Sequence, residues 1–340
     1  MWIIIIPYVI ILLFVLSGIS FVFRKWKLGF AVLSFALIVN VWTQSIPLRG
    51  KSIFKNDESN LVKIMTWNMN SSEIAEDDTL SWKKVIDVIE NESPSILMLQ
   101  EVHISHDCLL KAYLEEHFPY SAEMIRWGDN IIYSRYPLGK VELLKIDTVG
   151  SIKPATKEWW LKEARLSNPD VPVNNERLVM STIVDIGGYM ITLINCHLGS
   201  NHYDMERRSM PHECPWWKGI PSYLKNIRGG ERQRMAEAIA IKEILEDSDS
   251  PSLVCGDMND LNGSKVLNII HKDCNLEDAW WTGGFGPGFT YHGHSIMHFR
   301  LDHILYSKTF KLRGVRVIKQ KYSDHQPLVA TFSLDPDPEY

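Results

Sequence analysis

Six times along this chain an apolar, β-branched run ends in, or is interrupted by, residues whose chemistry is metal binding or proton transfer. TWNMN closes on Asn68, LMLQEV on Gln100 and Glu101, NCHLG on His197, and CGDMND on Asp257 and Asn259. Asp302 and His303 interrupt RLDHILYS, and Asp324 with His325 precedes the last run in YSDHQPLVATF. Runs of this length and composition read as strands, which deliver their terminal residues to one edge of a sheet. An acid in such a place is costly unless it is paired or binds a cation, because an isolated buried charge forfeits its hydration. Convergence of the six run ends on a single site is the economical explanation.

The remaining runs fill in the fold. LVKIMTW, SILMLQ, NIIYS, RLVMSTIVDI, YMITLINCHL, SLVCGD, RLDHILYS, RGVRVIKQ and PLVATFSL alternate with three stretches of helical periodicity, residues 81–92, 107–117 and 231–246. Many short strands with a few interleaved helices predict an α/β protein, specifically a two-sheet α/β sandwich with helices outside, over residues 61–335. Residues 151–175 and 200–230, rich in Trp, Pro, Lys and Arg, read as long functional loops between strands. No internal repeat or low-complexity segment is visible.

Ahead of this domain the chain changes character. Residues 2–23 carry no charge and are long enough, as a helix, to cross a hydrocarbon core of about 30 Å. A second, shorter apolar run follows Arg24, Lys25 and Lys27 over residues 28–42 and can be extended to Ile46. Residues 1–47 are therefore expected to be a membrane anchor of one or two transmembrane helices, with residues 48–60 a polar, aperiodic linker. A cleaved signal peptide fits less well, since no basic stretch precedes the first run and no A-x-A-like site follows it. With both segments spanning, the basic turn lies in the cytoplasm and the domain outside; with only the first, the domain is cytoplasmic.

Charge and cysteine content narrow the function. A net charge of -5 announces no broad basic surface for duplex nucleic acid, although local patches remain open. The five cysteines form no CxxC pair, and Cys196 and Cys255 lie in apolar runs as small buried hydrophobes. Two spans at most exclude a transporter or channel.

In their order along the chain, and with IIYSRYP following the second, the six motifs resemble those of the endonuclease/exonuclease/phosphatase (DNase-I-like) superfamily over about residues 61–334. The resemblance implies that Glu101 is the principal ligand of Mg²⁺ or Mn²⁺, with Asn68 beside it and Asp324 a further ligand or a carboxylate supporting one. It implies that Asp257 orients or deprotonates the attacking water, that Asn259 holds the phosphoryl oxygens, and that His325 contacts the phosphate and shares its proton with Asp302. His197 matches a histidine that stabilises or protonates the leaving group. The reaction so implied is divalent-metal-dependent hydrolysis of a phosphoester by in-line attack of water. Nucleic acid, a phospholipid headgroup as in the sphingomyelinase-like members, and a sugar or inositol phosphate all remain open as substrates. A non-catalytic, membrane-anchored binding module would be favoured by loss of Glu101, Asp257 or His325, and all three are present. One position departs from the pattern: many nucleases of the family carry an acid where this chain has Asn70, which leaves a second metal position open.

Other polar residues have plainer readings. His103, His106, His117 and His271 lack a partner motif, and His292, His294 and His298 have a spacing that matches no standard zinc site. Arg135 reads equally as a substrate contact or a structural ion pair. Trp159, Trp160, Trp216 and Trp217 read as loop packing or as platforms for bases or lipid.

Overall fold

The computed structural model describes residues 2–43, 46–48, 61–71, 74, 78–102, 108–123, 130–145, 176–200, 220–293 and 298–334. Two six-stranded sheets face each other. The first is built from β1 (Leu61–Asn68), β2 (Ile96–Gln100), β3 (Tyr120–Glu123), β4 (Asn130–Ser134), β11 (Phe310–Val317) and β12 (Leu328–Leu334), in the order β11-β12-β1-β2-β4-β3. The second uses β5 (Glu142–Lys145), β6 (Glu176–Ile186), β7 (Tyr189–His197), β8 (Ser252–Asp257), β9 (Leu276–Asp278) and β10 (Asp302–Ser307), in the order β5-β6-β7-β8-β10-β9. The two-sheet α/β sandwich expected from the sequence is the observed architecture.

The strands are apolar on both faces because both faces are covered. Along β1, Val62 and Ile64 point into the space between the sheets while Met65 and Trp67 point outward. The inner layer joins Ile64, Ile96 and Met98 to Leu193, Leu253 and Ile304. Outside the first sheet lie α3 (Thr79–Glu92) and α4 (Cys108–His117), and outside the second lie α5 (Ile220–Glu246) and the short α6 (Lys265–Asn268) with the π-turn Ile269–Asp273. Helix α3 illustrates the local rules: Asp78 caps it by accepting from Ser81 N at 3.0 Å, and Trp82, Val85 and Ile89 repeat at helical spacing to bury one stripe. A further short helix, α7 (Ala279–Gly283), follows β9.

Some boundaries differ from expectation. Helix α5 begins at Ile220, inside the stretch read as a long loop, and the short strands β3, β5 and β9 were not anticipated. The other expected loop, residues 151–175, lies outside the described residues.

A polar pin joins the two sheets in the middle of this apolar interior. Asn195 of β7 donates through Nδ2 to Leu99 O at 3.1 Å and Ile131 O at 3.0 Å, and its Oδ1 accepts from Gln100 Nε2 at 2.7 Å. All of these groups are buried. Replacing Asn195 with leucine strips partners from three buried polar groups on β2 and β4, and a loss of about 2–4 kcal/mol is expected in urea denaturation of the folded domain. A change under about 1 kcal/mol would show that the pin contributes no more than an ordinary surface hydrogen bond.

At the N-terminus, α1 (Trp2–Val22) and α2 (Trp26–Thr43) pack side by side, with Ser17 Oγ donating to Gly29 O at 2.8 Å and Phe21 against Trp26 and Phe30. Among the described residues no helix is long and apolar enough to cross a membrane, so the transmembrane helices expected from the sequence are not borne out.

Candidate active site

The alternation that builds the core also builds the site. Residues two apart share a face of a strand. On β7 the inward series Ile191, Leu193, Asn195 continues to His197; on β8 Leu253 and Cys255 lead to Asp257; on β10 Asp302 precedes Ile304 and Tyr306. On β1, Ile64 leads through Thr66 to Asn68. Register aligns the ends: His197 lies opposite Asp257 across the parallel β7/β8 pair, and Asp257 opposite Asp302 across the antiparallel β8/β10 pair. The hydrophobic strands thus run out, at one end of the sandwich, into a ring of acids, amides and imidazoles.

Within that ring two clusters share Asp257. Glu101, His197 and Asp257 present ligand atoms within 4.8 Å of one another, and so do Asp257, Asp302 and His325. Asn68 Nδ2 bridges the first cluster, donating to Glu101 Oε1 at 2.8 Å and Asp257 Oδ2 at 3.1 Å, while His197 Nε2 lies 3.4 Å from Glu101 Oε1. His197 Nδ1 is buried without a hydrogen-bond partner among the described residues, so nothing described there fixes its tautomer. In the second cluster His325 Nδ1 meets Asp302 Oδ2 at 2.8 Å, and His325 Nε2 faces Asp257 Oδ2 at 3.6 Å. Asn259 N donates to Asp257 Oδ1 at 2.8 Å, and its side-chain amide donates to Leu198 O. Asp324 stands outside both clusters; its Oδ1 accepts from Asn70 Nδ2, and Asn70 N in turn donates to Asn68 Oδ1.

The electrostatics follow from burial and pairing. Burial raises the Asp257 carboxyl, the nearby Asp302 adds to the rise, and His325 and His197 oppose it. Burial would raise Asp302 too, but the His325 ring and its hydrogen bond hold it below the usual carboxylate range. For His325 burial works against the charged ring, yet Asp302 and Asp257 outweigh it and raise its pKa to about 10. One carboxylate is thereby tuned toward accepting a proton while its neighbour stays ionised and holds an imidazolium.

Glu101, Asn70 and Asn259 all sit in left-handed backbone, with φ of 52°, 42° and 48°. These are the turns that carry each chain off its strand and aim the side chain into the ring.

The chain's sequence profile decides the family: residues 65–325 match the Endonuclease/Exonuclease/phosphatase family. The chain belongs to that family. As a member of the endonuclease/exonuclease/phosphatase family it is a phosphoesterase, a class that generally uses a divalent metal. Solved structures share the fold. The human Nocturnin catalytic domain with bound sulfate is 17% identical, with a TM-score of 0.54 over 82% of this chain and 95% of that one. Truncated TDP2 of Caenorhabditis elegans is 18% identical, with a TM-score of 0.53 over 82% and 100%. The 3′ phosphatase NExo from Neisseria, bound to a product DNA hairpin, is 19% identical, with a TM-score of 0.50 over 80% and 99%. No sequence among the curated proteins matches the chain.

The first cluster suits a divalent cation. Two carboxylates that accept from the same amide nitrogen repel one another, and a hard ion among such oxygens offsets that repulsion. Glu101→Ala is expected to weaken Mn²⁺ binding at least a hundredfold (order of magnitude, ~10²) in calorimetric titration without substrate. Undiminished affinity in that variant would place the ion elsewhere.

Residues not singled out in the sequence complete the site. Ser323 Oγ donates to Asn68 O at 2.8 Å and accepts from His325 N, and Trp67 Nε1 donates to His325 O at 3.1 Å. Thr290 Oγ1 accepts from Leu301 N and Asp302 N. Of the set singled out in the sequence, His303 faces the opposite side of β10, buried against Asp278 and Arg300 in an ion-paired support. Arg135 donates to Ser93 Oγ and lies over the Phe118 ring, at the end of β2 away from Glu101, which is a structural role. His117 and His271 lie outside both clusters, His103 and His106 fall outside the described residues, and so do the four loop tryptophans. His292 and His298 face each other with Nδ1 atoms 2.9 Å apart, while His294 is outside the described residues.

Proposed function

We propose that this chain hydrolyses phosphodiester bonds by in-line attack of water, with Mg²⁺ or Mn²⁺ as its cofactor. The observation that carries the reading is the Asp302–His325–Asp257 array, buried and adjoining Glu101 across a shared carboxylate. Glu101 would hold the ion, with Asn68 against it and Asp324 linked to Asn68 through Asn70. The ion would neutralise charge that builds on the phosphoryl oxygens. Asp257, raised toward neutrality by burial, takes the proton of the attacking water. His325, kept charged by Asp302, donates hydrogen bonds to the phosphoryl group. Asn259, whose amide is held by Leu198 O, flanks the same oxygens, and His197 beside Glu101 stands where a leaving group could be protonated. The NExo structure, bound to a product DNA hairpin, supports nucleic acid as the substrate class.

The folded chain with Mg²⁺ or Mn²⁺ should be tested in parallel on DNA, RNA, sphingomyelin, phosphatidylinositol phosphates and bis(p-nitrophenyl) phosphate. Turnover that needs the metal and disappears in Glu101→Ala and His325→Ala is expected. A folded, metal-binding protein inert on all five would count against the reading.

A second reading has its own observation. The helix pair exposes Leu12, Val22, Phe23, Trp26, Phe30 and Ile38, each more than half accessible, beside the basic turn of Arg24, Lys25 and Lys27. Apolar surface of this extent, next to positive charge, supports contact with a lipid surface and hence a phospholipid or inositol-phosphate headgroup as substrate. On this reading the full chain sediments with anionic vesicles, and a chain lacking residues 1–47 stays in the supernatant. Equal partition of the two would remove the lipid reading.

A further inference from the structure

The N-terminal helix pair reaches the active site through one side chain. Tyr8 of α1 donates its hydroxyl to His298 O at 2.5 Å and accepts from His298 N. Its ring stacks on Phe289, with centroids 5.9 Å apart, and meets Phe299 edge-on at 6.4 Å. Phe299 is paired to Tyr291 by backbone bonds in both directions, Tyr291 N to Phe299 O at 2.8 Å and Phe299 N to Tyr291 O at 3.0 Å. The Tyr291 ring lies 4.9 Å from that of His325, and His292 N donates to Asp324 O at 2.8 Å. A second tie, Gly286 N to Pro47 O at 3.0 Å, fastens the chain beyond α2 to the approach of the same loop.

The described residues 289–292 and 298–299 are therefore held from two sides. Their inner edge rests on His325 and Asp324; their outer edge rests on Tyr8. Backbone groups of a surface loop ordinarily bond to water, and a loop left to water samples many conformations that a substrate must then select at an entropic cost. A phenol that both donates to and accepts from one loop residue, while its ring is clasped by two loop aromatics, removes that freedom beforehand.

We propose that Tyr8 is a positioning residue, which orders Phe289, Tyr291 and Phe299 as the substrate-facing wall beside His325. The helix pair thereby completes the site's rim. The alternative is that Tyr8 only attaches the helices to the domain.

The full chain decides between them, and the kinetic part of the test rests on the phosphodiesterase reading above. With bis(p-nitrophenyl) phosphate as the probe, Tyr8→Ala is expected to raise KM by about fivefold to tenfold, the cost of ordering the loop on binding, with kcat within about twofold. The ring-proton resonances of His325 should shift as the Tyr291 ring moves. Tyr8→Phe keeps the ring contacts and loses both hydrogen bonds, so its KM should fall between wild type and Tyr8→Ala. Unchanged KM and unchanged His325 resonances in Tyr8→Ala overturn the proposal. A fall in kcat that merely tracks loss of folded protein, at constant KM, overturns it as well. If the wild type turns over no phosphodiester, the phosphodiesterase reading fails, and the His325 resonances still decide the role of Tyr8.

Discussion

Replacing Asp302 with asparagine is expected to lower phosphodiester turnover by about 10³- to 10⁴-fold, the loss seen when a buried acid that orients a catalytic imidazole is neutralised. The carboxylate accepts from His325 Nδ1 at 2.8 Å, and with Asp257 it keeps that ring charged up to about pH 10, against an ordinary value of 6.5. An asparagine of the same shape can turn its amide nitrogen toward Nδ1 and reverse the tautomer. The sign of the accompanying pH effect is fixed. A folded-state pKa above the unfolded one means that the charged ring's contribution to stability is complete below about 6.5 and lost as pH rises through 10. In Asp302→Asn the upper limit falls, so the ring titrates nearer neutrality. A histidine titration followed by NMR, beside the pH profile of stability, reads this directly; an unchanged His325 titration would show that Asp257 alone holds the charge.

Alanine at Gly256 is expected to cost more than about 4 kcal/mol, a large part of the 5–15 kcal/mol that keeps a typical domain folded. Gly256 has φ 135°, and a Cβ there would stand 1.9 Å from Cys196 O and 2.9 Å from Cys196 N. The neighbour is strand backbone in the middle of a sheet, which cannot swing aside as a side chain can. Because β7 and β8 carry His197 and Asp257 in register, any separation also opens the site. Gly187, in the β6–β7 turn with φ 63° and nothing within 4 Å of its Cβ position, is the control, with a cost of about 1–2 kcal/mol. Equal melting temperatures for the two variants would show that the sheet yields more readily than its geometry indicates.

Much of this site was legible in the sequence because strand periodicity and the site share one cause. Inward positions in β1, β7, β8 and β10 continue past the core into Asn68, His197, Asp257 and Asp302, so the chemistry appears as polar residues closing apolar runs. The same periodicity explains His303, which occupies the outward position and pairs with Asp278 and Arg300; parity separates it from Asp302, while composition does not. What stayed hidden depends on contacts between distant segments. Ser323 and Thr290 act through single hydroxyls on backbone groups, and although Ser323 lies within YSDHQPLVATF, a lone hydroxyl gives no sign of which backbone groups it will join. Helix α5 extends back over Pro221 and the Gly229–Gly230 pair, residue types whose propensity argues against a helix. Strand β9 is three residues long, too short for any periodic signal. The N-terminal runs were legible as helices, and crossing a bilayer was a further step that the described residues do not support.

The left-handed turns at Asn70, Glu101 and Asn259 bear on how this protein would respond to selection in the laboratory. Each holds a side chain in a backbone region where glycine rests without strain, at a cost of up to about 1–2 kcal/mol per residue, less for the asparagines. A library screened for heat resistance alone should therefore enrich glycine at these three positions and discard activity with every gain, whereas one screened for turnover should keep them and find its stabilising changes elsewhere. Divergence between the two screens at positions 70, 101 and 259 would map, without any substrate bound, the part of the fold held under tension for chemistry.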